Sequence, residues 1–239
     1  NALAVGYFAA ATKVMQMLLK MSACLGSVMM PRASHLIAEN KEAEFNRLIQ
    51  KSYDFTLAIA LPMTIGLIFC APSLITALCG VKFEHSILPS QIIAPIILMV
   101  AISNVFGIQV LFPKGKINIV TLSCGIGAVA DLILNLCLIP FFSYIGTSIA
   151  YLGAEVATTV SMYFIGRKYI PIIYFKKSHL TYALGCIVMA FALYGLSLLQ
   201  LPTLTILLLQ GCCGVLAYFI ILCICKDEML VQILLKIKR

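Results

Sequence analysis

The sequence predicts an all-α fold, a polytopic transmembrane helix bundle of about seven spans. Three observations carry that expectation. Of the 239 residues, 62% are hydrophobic and only 11% charged, with a mean hydropathy of +1.05, whereas a soluble domain carries about 25% charged and roughly 45–50% apolar residues. The apolar residues gather in runs long enough for a ~30 Å hydrocarbon core, which takes about 20 helical residues. The runs are uniformly apolar, without the alternation of barrel strands, so helices are the remaining choice. A globule of this size would have to hide more apolar surface than it can enclose. A soluble enzyme and a nucleic-acid-binding domain are excluded.

Taken in order, the runs are roughly 4–30, 54–79, 89–112, 117–139, 146–166, 180–200 and 203–225. The first is apolar apart from Lys13 and Lys20. The second carries Pro62 and Pro72, which membrane helices tolerate. Pro95, Asn104, Gly107 and Gln109 lie in the third. The fourth holds Asp131 and Asn135, and the turn from Pro140 to Ile145 is short enough to make the fifth its antiparallel neighbour. In the fifth, Gly146, Gly153 and Glu155 recur, and Gly125 and Gly127 stand in the fourth; small residues of this kind let helices approach closely. Leu201 and Pro202 divide the last two runs.

The connections set the orientation. The net charge is +8, from 17 Lys and Arg against 9 Asp and Glu. In a soluble protein that excess would point to nucleic acid, but here 14 of the 17 basic residues fall in the links 31–53, 113–116 and 167–179 and the tail 226–239. The opposite side has Lys82 alone. That asymmetry makes the first side cytoplasmic, with the first helix entering from outside and the C-terminus inside. In the tail, Met229, Leu230, Ile233, Leu234 and Ile237 recur at helical spacing, as in a helix lying on an anionic leaflet. Phe45, Leu48 and Ile49 share one face of 42–51, which reads as a second surface helix. Tyr169, Tyr174 and Phe175 read as the aromatic belt, since the chain has no Trp. No charged n-region or cleavage site precedes the first span, and the chain reads as the C-terminal part of something longer.

Four ionisable residues lie well inside spans: Lys13, Lys20, Asp131 and Glu155. Each costs about 2.5–3.5 kcal/mol near the bilayer centre, so each is expected to face a polar interior. Counting from the outer ends, Lys13, Asp131 and Glu155 sit roughly 13–14 Å deep and Lys20 about 24 Å. Lys13 and Lys20 are two turns apart and share a face. One reading is a cavity in which Lys13 and Lys20 meet an anionic substrate while Asp131 or Glu155 exchanges a proton or cation. The other pairs the four charges with one another as structural ties. Asn135 is one turn from Asp131 and shares its face; with Asn104 and Gln109 it is a candidate for substrate contact or for helix-to-helix hydrogen bonding.

No catalytic constellation stands out. His35, His85 and His179 lie in three links, one of them on the opposite side, so they do not make a metal site. No Asp-x-Asp, His-Glu-x-x-His, P-loop or Gly-x-Ser-x-Gly pattern occurs. Of the ten cysteines, Cys24, Cys70, Cys124, Cys137, Cys186, Cys212 and Cys213 fall inside apolar runs, and Cys223 and Cys225 near a helix end. They behave there as small apolar residues. No enzyme, cofactor or metal is expected.

The opening Val5-Gly6-Tyr7-Phe8-Ala9-Ala10-Ala11-Thr12-Lys13 and the stretch Pro31-Arg32-Ala33-Ser34 resemble the helix that begins the mid-region of bacterial polysaccharide flippases. Pro89 to Ile97, Ser103-Asn104-Val105-Phe106-Gly107-Ile108-Gln109, Leu111 to Lys116, Asn135 to Pro140, Gly146 and Glu155 continue the pattern. The chain so resembles the Wzx-type O-antigen and capsule flippases, of the multidrug/oligosaccharidyl-lipid/polysaccharide exporter superfamily, over roughly residues 3–166. The resemblance implies two helical lobes around a cationic cavity and alternating access. It implies that undecaprenyl-diphosphate-linked oligosaccharide is moved across the bacterial cytoplasmic membrane. These spans would then be the eighth to fourteenth: a C-terminal transport lobe at 1–166, and at 167–239 two accessory spans with the cytoplasmic tail. The partners implied are the lipid-linked substrate, membrane lipids and an N-terminal lobe, without nucleic acid. Asp131 departs from the family pattern, which has a small or neutral residue there. The alternatives are a cation-coupled drug or metabolite antiporter of the same superfamily, and the membrane anchor of a glycan polymerase or ligase.

Overall fold

The computed structural model describes residues 2–174, 176–199 and 202–225. The described elements are helices: α1 (Ala2–Ala38), α2 (Glu42–Cys79), a 3-10 turn (Val81–Ser86), α3 (Ile87–Ile93), α4 (Ile96–Asn104), a π-helical stretch (Val105–Leu111), α5 (Ile117–Gly166), α6 (Lys177–Ser197) and α7 (Thr203–Ile224). The amphipathic helix expected in the tail at 226–239, and Phe175 of the expected belt, lie outside the described residues.

Four of these helices, α2, α5, α6 and α7, are long and apolar enough to cross a bilayer; 81–93 with 96–111, bent by 43° at its break, makes a fifth where the pair is one span rather than a re-entrant loop. α5 supplies two. Its 50 residues would reach about 75 Å if straight, over twice the ~30 Å of hydrocarbon. The helix instead reverses at Ser143, where φ 49° and ψ −126° leave the helical region. A Cβ added to Gly146 would lie 2.6 Å from the Leu138 carbonyl, and one added to Gly153 would strike Leu134. One added to Gly127 would strike Thr158. These pairings step away from Ser143 on both sides, so 117–142 and 144–166 are antiparallel arms in close contact. With α1, which carries Lys13 and Lys20, the seven apolar runs are helical where described.

Two expectations are corrected. The third span is not one straight run: Pro95 lacks an amide donor and crowds the preceding turn, and the chain bends there before loosening into the π-helical stretch. Nor is 42–51 a separate surface helix. It is the first part of α2, and Phe45, Leu48 and Ile49 are buried in a core with Phe106, Val110, Leu111, Ile170 and Ile172. Tyr174 likewise packs on that core, its ring 5.9 Å from Tyr53 and 5.3 Å from Tyr163. A second core joins Ala11, Val14 and Met15 of α1 to Leu67, Ile75, Ile93, Ile96 and Ile97.

Pro62 and Pro72 act as sockets. A proline inside a helix leaves the carbonyl four residues earlier without its amide partner, and in hydrocarbon an unmet backbone group costs several kcal/mol. Those carbonyls belong to Ala58 and Ile68. The Tyr218 hydroxyl of α7 donates to Ala58 O at 2.8 Å, and Gln91 Nε2 of α3 donates to Ile68 O at 2.9 Å. On the side expected to be cytoplasmic, Lys114 Nζ donates to Tyr169 O at 2.9 Å and stands 5.0 Å over the Phe45 ring. Burial pulls the Lys114 ammonium below its ordinary range, against a smaller opposing pull from Glu42.

Candidate functional site

The two arms of α5 and the broken third span enclose a cleft of about 530 Å³. Its formation follows from local sequence. Pro95 turns α4 away from α3, and Gly107 in the π-helical stretch presents no side chain where the Val120 and Met162 side chains come near. Into the cleft look Ser103 and Asn104 from the end of α4, Asp131 from the first arm, and Tyr151, Glu155 and Thr158 from the second. On the second arm, Tyr151, Glu155, Thr158 and Met162 recur at three- and four-residue spacing, one helix face.

Asp131 and Glu155 are therefore brought together, as their similar depth implied. Both are half-buried. Asn135 does not line the cleft but backs Asp131 from one turn along the same arm: its Nδ2 donates to the Asp131 backbone oxygen at 2.9 Å and to Asp131 Oδ1 at 3.0 Å. Asn135 Oδ1 is buried and has no hydrogen-bond partner among the described residues. Two carboxylates in largely apolar walls give the cleft the chemistry to take a proton or a cation.

The other candidates lie elsewhere. Gln109 is buried on the far side of the π-helical stretch, where its Oε1 accepts from Ser52 Oγ at 2.5 Å; it ties that stretch to α2 and does not line the cleft. Lys13 and Lys20 are exposed on α1 together with Gln16 and Met17, a stripe at positions i, i+3, i+4 and i+7 opposite the buried Ala11, Val14 and Met15. Among the described residues no ion pair joins Lys13 to Asp131 or Glu155. The structural pairing of all four charges is thus absent for Lys13. Sequence reasoning passed over Ser103, Tyr151 and Thr158; the helical spacing from Glu155 was the signal for the last two.

Comparison with known proteins gives two findings. A family model described as "Lipid II flippase MurJ" matches residues 2–210. The solved structure "Lipid II flippase MurJ, inward closed conformation" superposes with a TM-score of 0.77 at 17% sequence identity, over 95% of this chain and 48% of that one. This chain spans about half the length of that flippase. No curated protein matches.

Proposed function

Because the chain belongs to the lipid II flippase MurJ family, a family of multi-pass membrane transporters rather than enzymes, we propose that it is one lobe of an alternating-access flippase for a lipid-linked sugar. The observation that carries the proposal is the cleft itself: Asp131 and Glu155 lining one cavity, between a doubled-back helix and a helix broken at Pro95. In this reading Asp131 or Glu155 exchanges a proton or cation, with Asn135 orienting Asp131 and Asn104 at the rim. Lys13 and Lys20 form a cationic stripe toward the other lobe and attract the diphosphate, as a cation does strongly in a low-dielectric cavity. Gln109 serves the fold and not the substrate. The 1–166 part is the transport lobe and α6 with α7 the accessory pair, in the bacterial cytoplasmic membrane with the C-terminus inside.

The substrate is a polyprenyl-diphosphate-linked saccharide. The family match supports a lipid II-class unit, and the Wzx-type resemblance of residues 3–166 supports an O-antigen, capsule or exopolysaccharide repeat unit. Complementation separates them. The full-length gene should restore growth to cells depleted of their lipid II flippase, or surface polysaccharide to cells lacking an O-antigen flippase. Failure in both backgrounds, with the protein present in the membrane, would overturn the flippase reading and favour an ion-coupled antiporter using the same two carboxylates. Expressed by itself, the 239-residue segment should insert but not flip.

A further inference from the structure

Asp54, at the start of the membrane-crossing part of α2, gathers partners from three places. Lys176 Nζ donates to its Oδ2 at 2.9 Å, Gln50 Nε2 donates to its Oδ1 at 2.7 Å, and His179 Nε2 lies 3.0 Å from the same Oδ1. Gln50 in turn accepts from the Ile173 amide at 2.8 Å. The group is sheltered, with the Asp54 and His179 side chains each only 14% exposed.

The second ring nitrogen of His179 decides the chemistry. Nδ1 lies 2.7 Å from the Tyr174 carbonyl oxygen. Both partners of the ring, a carbonyl and a carboxylate, are acceptors, whereas a neutral imidazole has one donor and one lone pair. Either neutral tautomer would aim a lone pair at an oxygen lone pair. With Asp54 held as a carboxylate by Lys176, the ring that satisfies both contacts is one protonated on both nitrogens. Facing the ring are Asp54 and Tyr53 of α2, the latter 5.8 Å away, Lys176 and Tyr174 of the link, and Tyr182 of α6 at 6.1 Å. Tyr163 of α5 stands behind Tyr174. Burial, with smaller contributions from Tyr163 and Tyr53, pushes the Tyr174 phenol up, so it stays neutral.

We propose that Asp54, Lys176 and His179 form a protonation-dependent latch that fastens the α6–α7 pair to the transport lobe. The pair is seated chiefly on α2, and this is its polar tie at the end nearest the 167–176 link. Tyr218 to Ala58 O and Ser73 to Gln210 are the ties further along. With both ring protons present, the imidazolium makes charge-assisted bonds and the latch is closed. Loss of one proton removes a donor and leaves two oxygens facing a ring with one. The latch is therefore closed while the ring holds both protons and opens when one is lost, freeing the start of α6 while the two inner ties act as a pivot.

The test uses the full-length protein in lipid nanodiscs. Nitrogen-15 NMR of labelled histidines, with the His179 signals assigned by their loss in His179→Gln, should show both ring nitrogens protonated at about pH 6. Amide exchange at 170–182, corrected for intrinsic rates, should rise about tenfold as that proton is lost. His179→Gln and Asp54→Asn should exchange fast at every pH, while Lys176→Gln should keep the pH dependence. A neutral His179 ring at pH 6, or pH-independent exchange in the unaltered protein, would overturn the proposal even if the variants fail to fold. Persistence of the pH dependence in His179→Gln would overturn it too.

Discussion

Tyr218 gives its hydroxyl proton to the carbonyl of Ala58, the oxygen that Pro62 leaves without a helical donor. Two residues 160 positions apart in sequence are joined by a defect in one helix and a donor on another. Gln91 does the same for Ile68, the carbonyl freed by Pro72. In a bilayer such a bond adds to close packing in holding helices together, because lipid tails offer helices the same apolar surroundings as their neighbours do.

The consequence is a measurable coupling. Tyr218→Phe should lower stability by about 0.6–1.7 kcal/mol, the range for interhelical hydrogen bonds in membranes. Pro62→Ala restores an amide that bonds to Ala58 O within α2, so in that background Tyr218→Phe should cost close to nothing. Reversible unfolding of the four proteins in mixed micelles would give the double-mutant cycle. A coupling of zero would mean that the Ala58 carbonyl finds its partner elsewhere.

The reversal of α5 makes opposite predictions at neighbouring sites. Ser143 has φ 49° with ψ −126°, backbone that glycine adopts at no steric cost. Ser143→Gly should therefore stabilise by about 1 kcal/mol. Gly146→Ala places a Cβ 2.6 Å from Leu138 O, a backbone contact that does not yield without parting the arms. It should destabilise by roughly 1–3 kcal/mol, as overpacking does. Thermal unfolding in detergent ranks the two variants against the unaltered protein; the reverse order would mean that the arms are held apart.

Run length made the all-α, multi-span bundle legible, and the Pro140–Ile145 turn made the α5 hairpin legible too. The burial of Phe45, Leu48 and Ile49 was not. An apolar face on a short charged segment has the same periodicity whether it meets lipid or protein, and only the packing of Phe106 and Ile170 against it decides. The site divided in the same way. Asp131 and Glu155 could be brought to one cleft by depth, and Asn135 set beside Asp131 by helical phase. Gln109 could not be assigned, because its phase depends on the π-helical stretch, which turns it toward Ser52. The Lys13 stripe was legible as a stripe, but spacing says nothing of which partner it faces.

Lys114 gives a pH prediction outside the membrane. Burial pulls its pKa below the ordinary value of 10.5. Between its folded pKa and 10.5 the unfolded chain binds the proton and the folded one does not, so this residue's contribution to stability rises with pH there. Lys114→Arg, which keeps its charge throughout, should flatten that rise while keeping the contact over Phe45. Melting temperatures between neutral and alkaline pH measure it. An identical alkaline limb in both proteins would show that the ammonium reaches water in the folded state.

The cleft predicts an ordering of transport defects. A carboxylate that exchanges a proton or cation must be able to lose its charge and regain it, so Asp131→Asn and Glu155→Gln remove the exchange while keeping size and hydrogen bonding. Each should slow flipping at least about tenfold with normal protein in the membrane, the loss of roughly 1.4 kcal/mol of driving interaction. Asn135→Ala removes the donor 3.0 Å from Asp131 Oδ1; it should shift the cation or pH dependence of flipping more than the maximal rate. Gln109→Met, which breaks only the tie to Ser52, should lower stability and leave ion dependence unchanged. Lys20→Glu should abolish transport without affecting insertion, since in the proposed function its charge is assigned to the substrate and not to the coupling ion. Full flipping in both Asp131→Asn and Glu155→Gln would leave the cleft a packing defect, and transport surviving Lys20→Glu would remove that lysine from the substrate path.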